Sequence, residues 1–217
     1  MKVVFAHNVY NRFKALKNTI DAEIEIFPDS KISVAYNDTF INLFSEYKNV
    51  KFMGFGERPH KIGCVNGCIL SIKQLLDADF DVLIFSHDDV SIVKSKLDVV
   101  NKHISSIMTN EYDVICRKPL KYVNNAEIFG GYYMMEVFYV SKNAAIKLFR
   151  DTTTLKDESE IPVLGTASPE VWLYQLINNG RLKINEIQFL LDENYNDNLA
   201  NQMGFYHKNV GVRGWQD

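Results

Sequence analysis

The sequence predicts one α/β domain with a mostly parallel central sheet and a mixed C-terminal half. Three observations lead there. Short β-rich runs alternate with helix-spaced apolar stripes through the first half of the chain. The strongest run, Val82-Leu83-Ile84-Phe85, is apolar at every position, as a strand covered on both faces requires. The chain has 217 residues, 47% hydrophobic and 24% charged, enough to bury a core without disulfide or metal staples.

The elements follow in order. Lys2 to Ala6 reads as the first strand. Asn11 to Asp21 places Phe13, Leu16 and Ile20 on one helical face. Lys31 to Ala35 is a second strand, and Asp38 is placed to cap a short helix carrying Phe40, Ile41, Phe44 and Tyr47. Val50 to Phe55 is a third strand, closed by Gly54 and Gly56. Lys61 to Leu76 is a longer helix with Val65, Ile69, Ile72 and Leu76 along its stripe, and Asp81 to Phe85 is the fourth strand.

The second half changes character. Leu97, Val100, Ile104 and Ile107 mark a helix, Tyr112 to Cys116 a strand, and Tyr132 to Val140 a long strand behind Gly130-Gly131. Asn143 to Arg150 is a short helix. Residues 151–167 are polar and turn-prone, which predicts a surface loop or lid. Ser168-Pro169-Glu170 opens a helix with an N-cap, a proline at the first helical position and a first-turn acid. Its stripe runs through Trp172, Leu173, Leu176 and Ile177 to Gly180. Arg181 to Leu191 is a last strand, and residues 192–217 read as an irregular tail.

Composition excludes several classes. A net charge of −3 gives no overall basic balance for nucleic acid. Three cysteines do not make a disulfide framework and point to a reducing, cytoplasmic setting. No apolar run is long enough for a membrane span, and MKVVFAHN does not read as a signal peptide.

The chemistry concentrates at Phe85-Ser86-His87-Asp88-Asp89. Adjacent carboxylates directly after a buried strand call for water or a cation, and hard divalent ions that also bind phosphates use one or two carboxylates. The same pair would also serve in a solvated turn that caps a helix. His7, Asn8, Asn11 and Arg12 follow the first strand, where amides and a guanidinium suit base edges and phosphates. Arg58-Pro59-His60-Lys61 precedes the long helix, with Gly63 and Gly67 in its first turns, an arrangement that favours a diphosphate at a helix start. Asn66 lies one turn further in. Cys64 and Cys68 lack the further ligands of a zinc site and read as free thiols. Gly130-Gly131-Tyr132-Tyr133 suits either a sugar platform or a bulge with core aromatics. Glu170, behind the polar loop, suits either a general base or a dipole-complementing acid.

The order of a strand ending in His7-Asn8, then Val34-Ala35-Tyr36-Asn37-Asp38, then helix 61–76, then LIFSHDD, resembles the nucleotide-sugar half of GT-A glycosyltransferases. The compact, Asn-, Lys- and Tyr-rich style is similar to bacterial and large-DNA-virus members. The acidic motif departs from D-x-D: His87 stands where the first Asp would be. The resemblance implies a single GT-A-like, Rossmann-like domain over 1–217, with a nucleotide-binding half (1–92) and an acceptor half with tail (93–217). It implies a donor that is a nucleoside-diphosphate sugar, UDP-linked in preference to GDP-linked, and a glycan or other hydroxyl acceptor. Mn or Mg would sit on Asp89, with Asp88 on metal or ribose and His207 as a C-terminal ligand. His7, Asn8, Asn11, Arg12 and Asp38 would hold base and ribose. Lys61, Asn66 and Lys208, with Arg213 nearby, would lie along the nucleotide and diphosphate, and Glu170 would be the base. A sugar-1-phosphate nucleotidyltransferase is disfavoured because HNVYNRFK lacks the glycine-rich basic loop after the first strand. A non-catalytic sugar- or nucleotide-binding module is the reading from another class.

Overall fold

The structure, a computed structural model, describes residues 1–9, 12–36, 47–56, 60–120, 132–161, 168–189 and 195–207. Its main sheet has seven strands: β1 (Val3–Val9), β2 (Lys31–Tyr36), β3 (Val50–Gly54), β4 (Val82–His87), β6 (Val114–Pro119), β7 (Val137–Ser141) and β8 (Ile184–Phe189), in the order β3-β2-β1-β4-β7-β6-β8. β1 to β4 are mutually parallel. β7 runs antiparallel between β4 and β6, and β8 is parallel to β6. A small second sheet pairs β5 (Val90–Ile92) with β9 (Phe205–His207), antiparallel.

The helices cover both faces. α1 (Phe13–Ile26) and α3 (Leu97–Met108) pack with Val3, Phe5, Ile84 and Tyr139, and α6 (Tyr195–Met203) adds Leu199 and Met203 to this side. α2 (His60–Lys73), α4 (Lys142–Phe149) and α5 (Ser168–Asn179) pack with Val4, Ala6, Leu83, Phe85 and Phe138. Alternate residues of β1 and β4 feed opposite layers, as the period of a strand requires. Their near-continuous apolar character follows from having a layer on each side.

The predicted order of strands and helices in the first half is present. The helix expected to follow Asp38 lies outside the described residues. α1 runs on past Asp21 to Ile26, because its buried face continues through Thr19 and Glu23. β6 extends past Cys116 to Pro119, paired residue for residue with β8 as far as Phe189.

Two expectations are corrected and a third is sharpened. The strand predicted from Tyr132 is regular only from Val137. Before that, the backbone spans three elements: Tyr133 N–H donates to Glu170 O at 3.4 Å, Met134 N–H to Arg117 O at 2.9 Å, and Glu136 O accepts from His87 N–H at 3.0 Å. The expected surface loop or lid begins as a loop over residues 151–161, fastened to α2. Asn66 exchanges two hydrogen bonds with the Leu155 backbone (2.9 and 2.7 Å), and Lys73 Nζ donates to Thr152 O at 3.0 Å. The tail expected to be irregular from residue 192 instead forms α6 and β9. Gly204 makes the turn between them at φ +78°, and a Cβ there would stand 2.3 Å from a Val100 methyl.

Candidate active site

The carboxyl ends of β1, β2, β4 and β6 and the start of β7 share one end of the sheet, the end where open α/β sheets bind ligands. The turn after β4 places Asp88 and Asp89 there, with only 6% and 3% of their surface exposed. Arg12, at the start of α1, donates from Nη1 to Asp89 Oδ2. Pairing of Val90 with His207 brings the imidazole alongside, with Nε2 3.7 Å from Asp89 Oδ1. His207 is held by its own backbone, whose N–H and C=O both bond the Asn196 amide at 3.0 Å. The sequence thus separates Arg12, Asp89 and His207 widely, and the fold joins them.

The α2 side closes the arrangement. Asn8 points toward this helix, with Nδ2 3.4 Å from Cys64 O. Gly67 permits the approach, since a Cβ on it would lie 2.6 Å from Asn8 Cβ. Burial pushes the Cys64 thiol well up from its ordinary range. The Glu170, Asp88 and Asp89 carboxylates push it further, and Arg12 opposes them.

Glu170, in the first turn of α5, has its carboxyl raised from 4.5 to about 7. Burial is the main cause. Its own backbone N–H works against the rise, the nearby Glu136 adds to it, and Lys61 at the start of α2 opposes it. A carboxyl poised near neutrality is chemically suited to exchange protons.

Other expected residues fall elsewhere. The His7 ring is fully enclosed. Nε2–H donates to Glu23 Oε2 at 2.9 Å, and Nδ1 lies 3.1 Å from the Ser86 hydroxyl. His7 shares the face of Val3 and Phe5, so it points under α1 and away from the open end. The Asn66 amide is engaged with Leu155 and fastens a loop. Tyr132 and Tyr133 are buried, with the Tyr133 hydroxyl donating to Glu186, so these rings are core and not a sugar platform. Asn11, Asp38, Lys208, Arg58, Pro59, Gly130, Gly131 and Arg213 lie outside the described residues.

One buried ion pair escaped the sequence reading. Arg117, at the end of β6, donates from Nη1 to Glu136 Oε1 at 2.9 Å and from Nε to Gln202 Oε1 at 3.2 Å. Its guanidinium lies 3.7 Å from the Phe189 ring centroid. The signal was a charged residue inside each of two strand-like runs, Arg117 in VICRKP and Glu136 in YYMMEVFYV. Fully buried Arg and Glu are rare unless paired.

The implied divalent cation is compatible with the donor types here, two carboxylates and an imidazole. Among the described residues, however, no three His, Cys, Asp or Glu side chains are grouped to hold an ion. The Arg12 guanidinium supplies the positive charge that Asp89 needs.

Two structures of S. aureus TarS share this architecture. Residues 1–349 of TarS superpose with a TM-score of 0.56 at 13% identity, over 91% of this chain and 63% of that one. A longer TarS structure gives 0.57 at 14%, over 87% of this chain and 35% of that one. The fold is GT-A-like. The chain spans less than two thirds of either TarS structure. A Desulfovibrio desulfuricans G20 protein described as a nucleotide-diphospho-sugar transferase gives a TM-score of 0.49 at 11% identity, over 87% of this chain and 80% of that one. No protein-family model and no curated protein matches the sequence. Among the described residues no helix is long and apolar enough to cross a membrane.

Proposed function

We propose that the chain is a glycosyltransferase that moves a sugar from a nucleoside-diphosphate sugar to an acceptor hydroxyl. One observation carries the reading. In a GT-A-like sheet, the buried Asp88-Asp89 turn at the end of β4 lies at the same end as Glu170, whose carboxyl is raised to about 7 and whose backbone oxygen accepts from Tyr133 ahead of β7. The two carboxylate sets divide the work by environment. Asp88, Asp89, Arg12 and Lys61 face the donor diphosphate, with Asn8 and Arg12 toward the nucleotide. Asn11, Asp38 and Lys208 remain expected contributors there. Glu170 faces the acceptor.

In the transfer, the acceptor oxygen bonds to the anomeric carbon while the bond from that carbon to the diphosphate oxygen breaks. The hydroxyl proton passes to ionised Glu170, and the electron pair of the broken bond leaves with the diphosphate. Lys61 and Arg12 meet that departing charge. Manganese or magnesium would be held by Asp88, Asp89 and His207, where it would supply Lewis-acid neutralisation of the leaving group. A UDP-linked donor is proposed ahead of a GDP-linked one. The three cysteines, none of them in a disulfide, support a reducing, cytoplasmic setting.

The test is a thermal-shift series with UDP- and GDP-sugars, each with Mn, Mg or EDTA, followed by assay of nucleoside diphosphate release. Binding to the folded state raises the melting temperature by mass action. A sugar nucleotide that both shifts the melting temperature and turns over, even by slow hydrolysis, supports the transferase. Absence of shift and release across the series refutes it.

A further inference from the structure

Glu170, Tyr174 and Asn178 recur at every fourth residue of α5, so they share one side of the helix. The turn of Glu170 belongs to the proposed reaction. The next two turns meet a polar patch that the reaction does not use. On the sheet beneath α5, alternate residues of β6 and β8 are apolar at Val114 and Ile184 and become charged at Glu186 and Lys118, toward the carboxyl ends of the strands. Lys118 Nζ donates to both Glu186 carboxylate oxygens, at 3.0 and 3.3 Å, and lies 5.3 Å from the centre of the Tyr174 ring. The Tyr133 hydroxyl donates to the same carboxylate and accepts from Asn178 Nδ2 at 3.4 Å. Tyr133 also ties the patch to the reacting end, because its backbone N–H donates to Glu170 O at 3.4 Å. The patch is open to solvent: Lys118 and Glu186 keep 16% and 30% of their side chains exposed, Tyr174 is half-buried and Asn178 is exposed.

We propose that Tyr174, Asn178 and Glu186 form a subsite for an uncharged sugar unit of the acceptor, the unit next to the one whose hydroxyl meets Glu170. The acceptor is then an oligosaccharide and not a single sugar. This rests on the transferase reading. Charge, surface chemistry and spacing select that ligand together. The Lys118 ammonium and the Glu186 carboxylate cancel, so the pair offers no net charge to attract a phosphate or an acidic sugar. A sugar unit presents an apolar C–H face and a rim of hydroxyls. An aromatic ring beside an amide and a carboxylate matches both, the ring covering the face and the polar groups bonding the hydroxyls. Four residues advance a helix by about 6 Å, close to the step from one sugar ring to the next. A chain whose end lies at Glu170 therefore brings its following unit to Tyr174. Lys118 and Tyr133 hold the Glu186 carboxylate in place before any ligand arrives, which lowers the cost of ordering it on binding.

Saturation-transfer NMR would read binding, with UDP at saturation, to a panel of uncharged di- and trisaccharides of hexose and N-acetylhexosamine and to their component monosaccharides. The parent is expected to bind at least one oligosaccharide roughly tenfold or more tightly than its monosaccharides, the gain from a second set of contacts. Tyr174→Ala should remove that gain and Tyr174→Phe should keep it, since the ring is what is needed. Asn178→Ala, an exposed change, should weaken oligosaccharide binding by roughly fivefold, as the loss of one hydrogen bond does. Circular dichroism and melting temperature confirm folding, and UDP affinity by calorimetry should match the parent in every variant. A parent that binds no panel member, or binds oligosaccharides no better than monosaccharides, overturns the subsite. Parent-like oligosaccharide binding in Tyr174→Ala and Asn178→Ala overturns it too, and a lowered melting temperature with it would mark the network as a brace for α5. A parent that binds the oligosaccharide but releases nucleoside diphosphate from no UDP- or GDP-sugar overturns the transferase reading, and with it the acceptor role, separately from the sugar contacts themselves.

Discussion

Replacing Glu170 by Gln keeps the size of the side chain and removes its ionisation, so it separates a proton-transfer role from a structural one. The carboxyl is raised from 4.5 to about 7, chiefly by burial and with a contribution from Glu136. The sign follows directly. A carboxyl raised on folding stabilises the fold when protonated, so that contribution is full below about pH 4.5 and is lost as pH rises through about 7. Linkage puts the loss at about 3 kcal/mol as an upper limit, and partial exposure of Glu170 reduces it to roughly 1–2 kcal/mol. Glu170→Gln should therefore melt near the parent temperature at pH 5 and above it at pH 8. If Glu170 served only to complement the helix dipole, the variant would instead be less stable at high pH, by about 0.3–1 kcal/mol. Catalysis gives the second readout. A base must be ionised, so the parent single-turnover rate at saturating donor should climb with pH to a plateau above about 7. Glu170→Gln should lose roughly 10²-fold or more of that rate and the climb with it, while donor affinity barely changes. A parent-like rate in the variant at pH 8 would remove Glu170 from the mechanism.

Three further outcomes follow from the packing. Breaking the buried pair by Arg117→Met or by Glu136→Gln should cost roughly 3–5 kcal/mol each in urea unfolding, with the double variant losing less than the two together; additive losses would show the two charges are not coupled. Gly67→Ala drives a Cβ to 2.6 Å from Asn8 Cβ and should destabilise by roughly 1–3 kcal/mol while weakening UDP binding in calorimetry. Unchanged UDP affinity would exclude Asn8 from the nucleotide site. Gly204→Ala meets a positive φ of 78° and a Val100 methyl at 2.3 Å, so it should lower the melting temperature and speed hydrogen exchange at the β9 amides; parent-like protection there would show that Gly204 does not set the position of His207.

The parts legible in the sequence are those whose physics is local. β1, β2, β3, β4 and the helices between them each carry their own period, and the Ser168-Pro169-Glu170 start of α5 carries its own cap signal. The misplacement of His7 came from ending the first strand at Ala6. With β1 running to Val9, the alternation that buries Val3 and Phe5 under α1 also buries His7 there and turns Asn8 toward α2. Three further residues of strand, His7 to Val9, turn His7 inward. α6 was missed for a different reason. NDNLANQM is short and polar, and its buried residues, Leu199 and Met203, gain their environment from Phe205, Val100 and Tyr139. The Tyr139 hydroxyl donates to Met203 O at 2.5 Å, and His103 Nε2 lies 2.6 Å from Gln202 O. None of that is written within the segment.

The site itself illustrates why residue types were readable and pairings were not. Acids after an apolar strand, a basic residue after another and a histidine in the tail are separate local observations. What unites them is charge neutralisation across the sheet's open end. Asp89 could not stay buried beside Asp88 without a cation, and β5–β9 pairing places His207 within 3.7 Å of it while α1 delivers Arg12. The same rule governs the other acid. Glu136 remains buried because Arg117 lies 2.9 Å away, and Glu136 in turn helps keep Glu170 protonated near neutrality. The two carboxylate environments therefore diverge by construction. One is matched to the Arg12 guanidinium. The other is raised toward neutrality by burial and Glu136, with Lys61 opposing, so that near pH 7 an ionised fraction stands ready to take a proton.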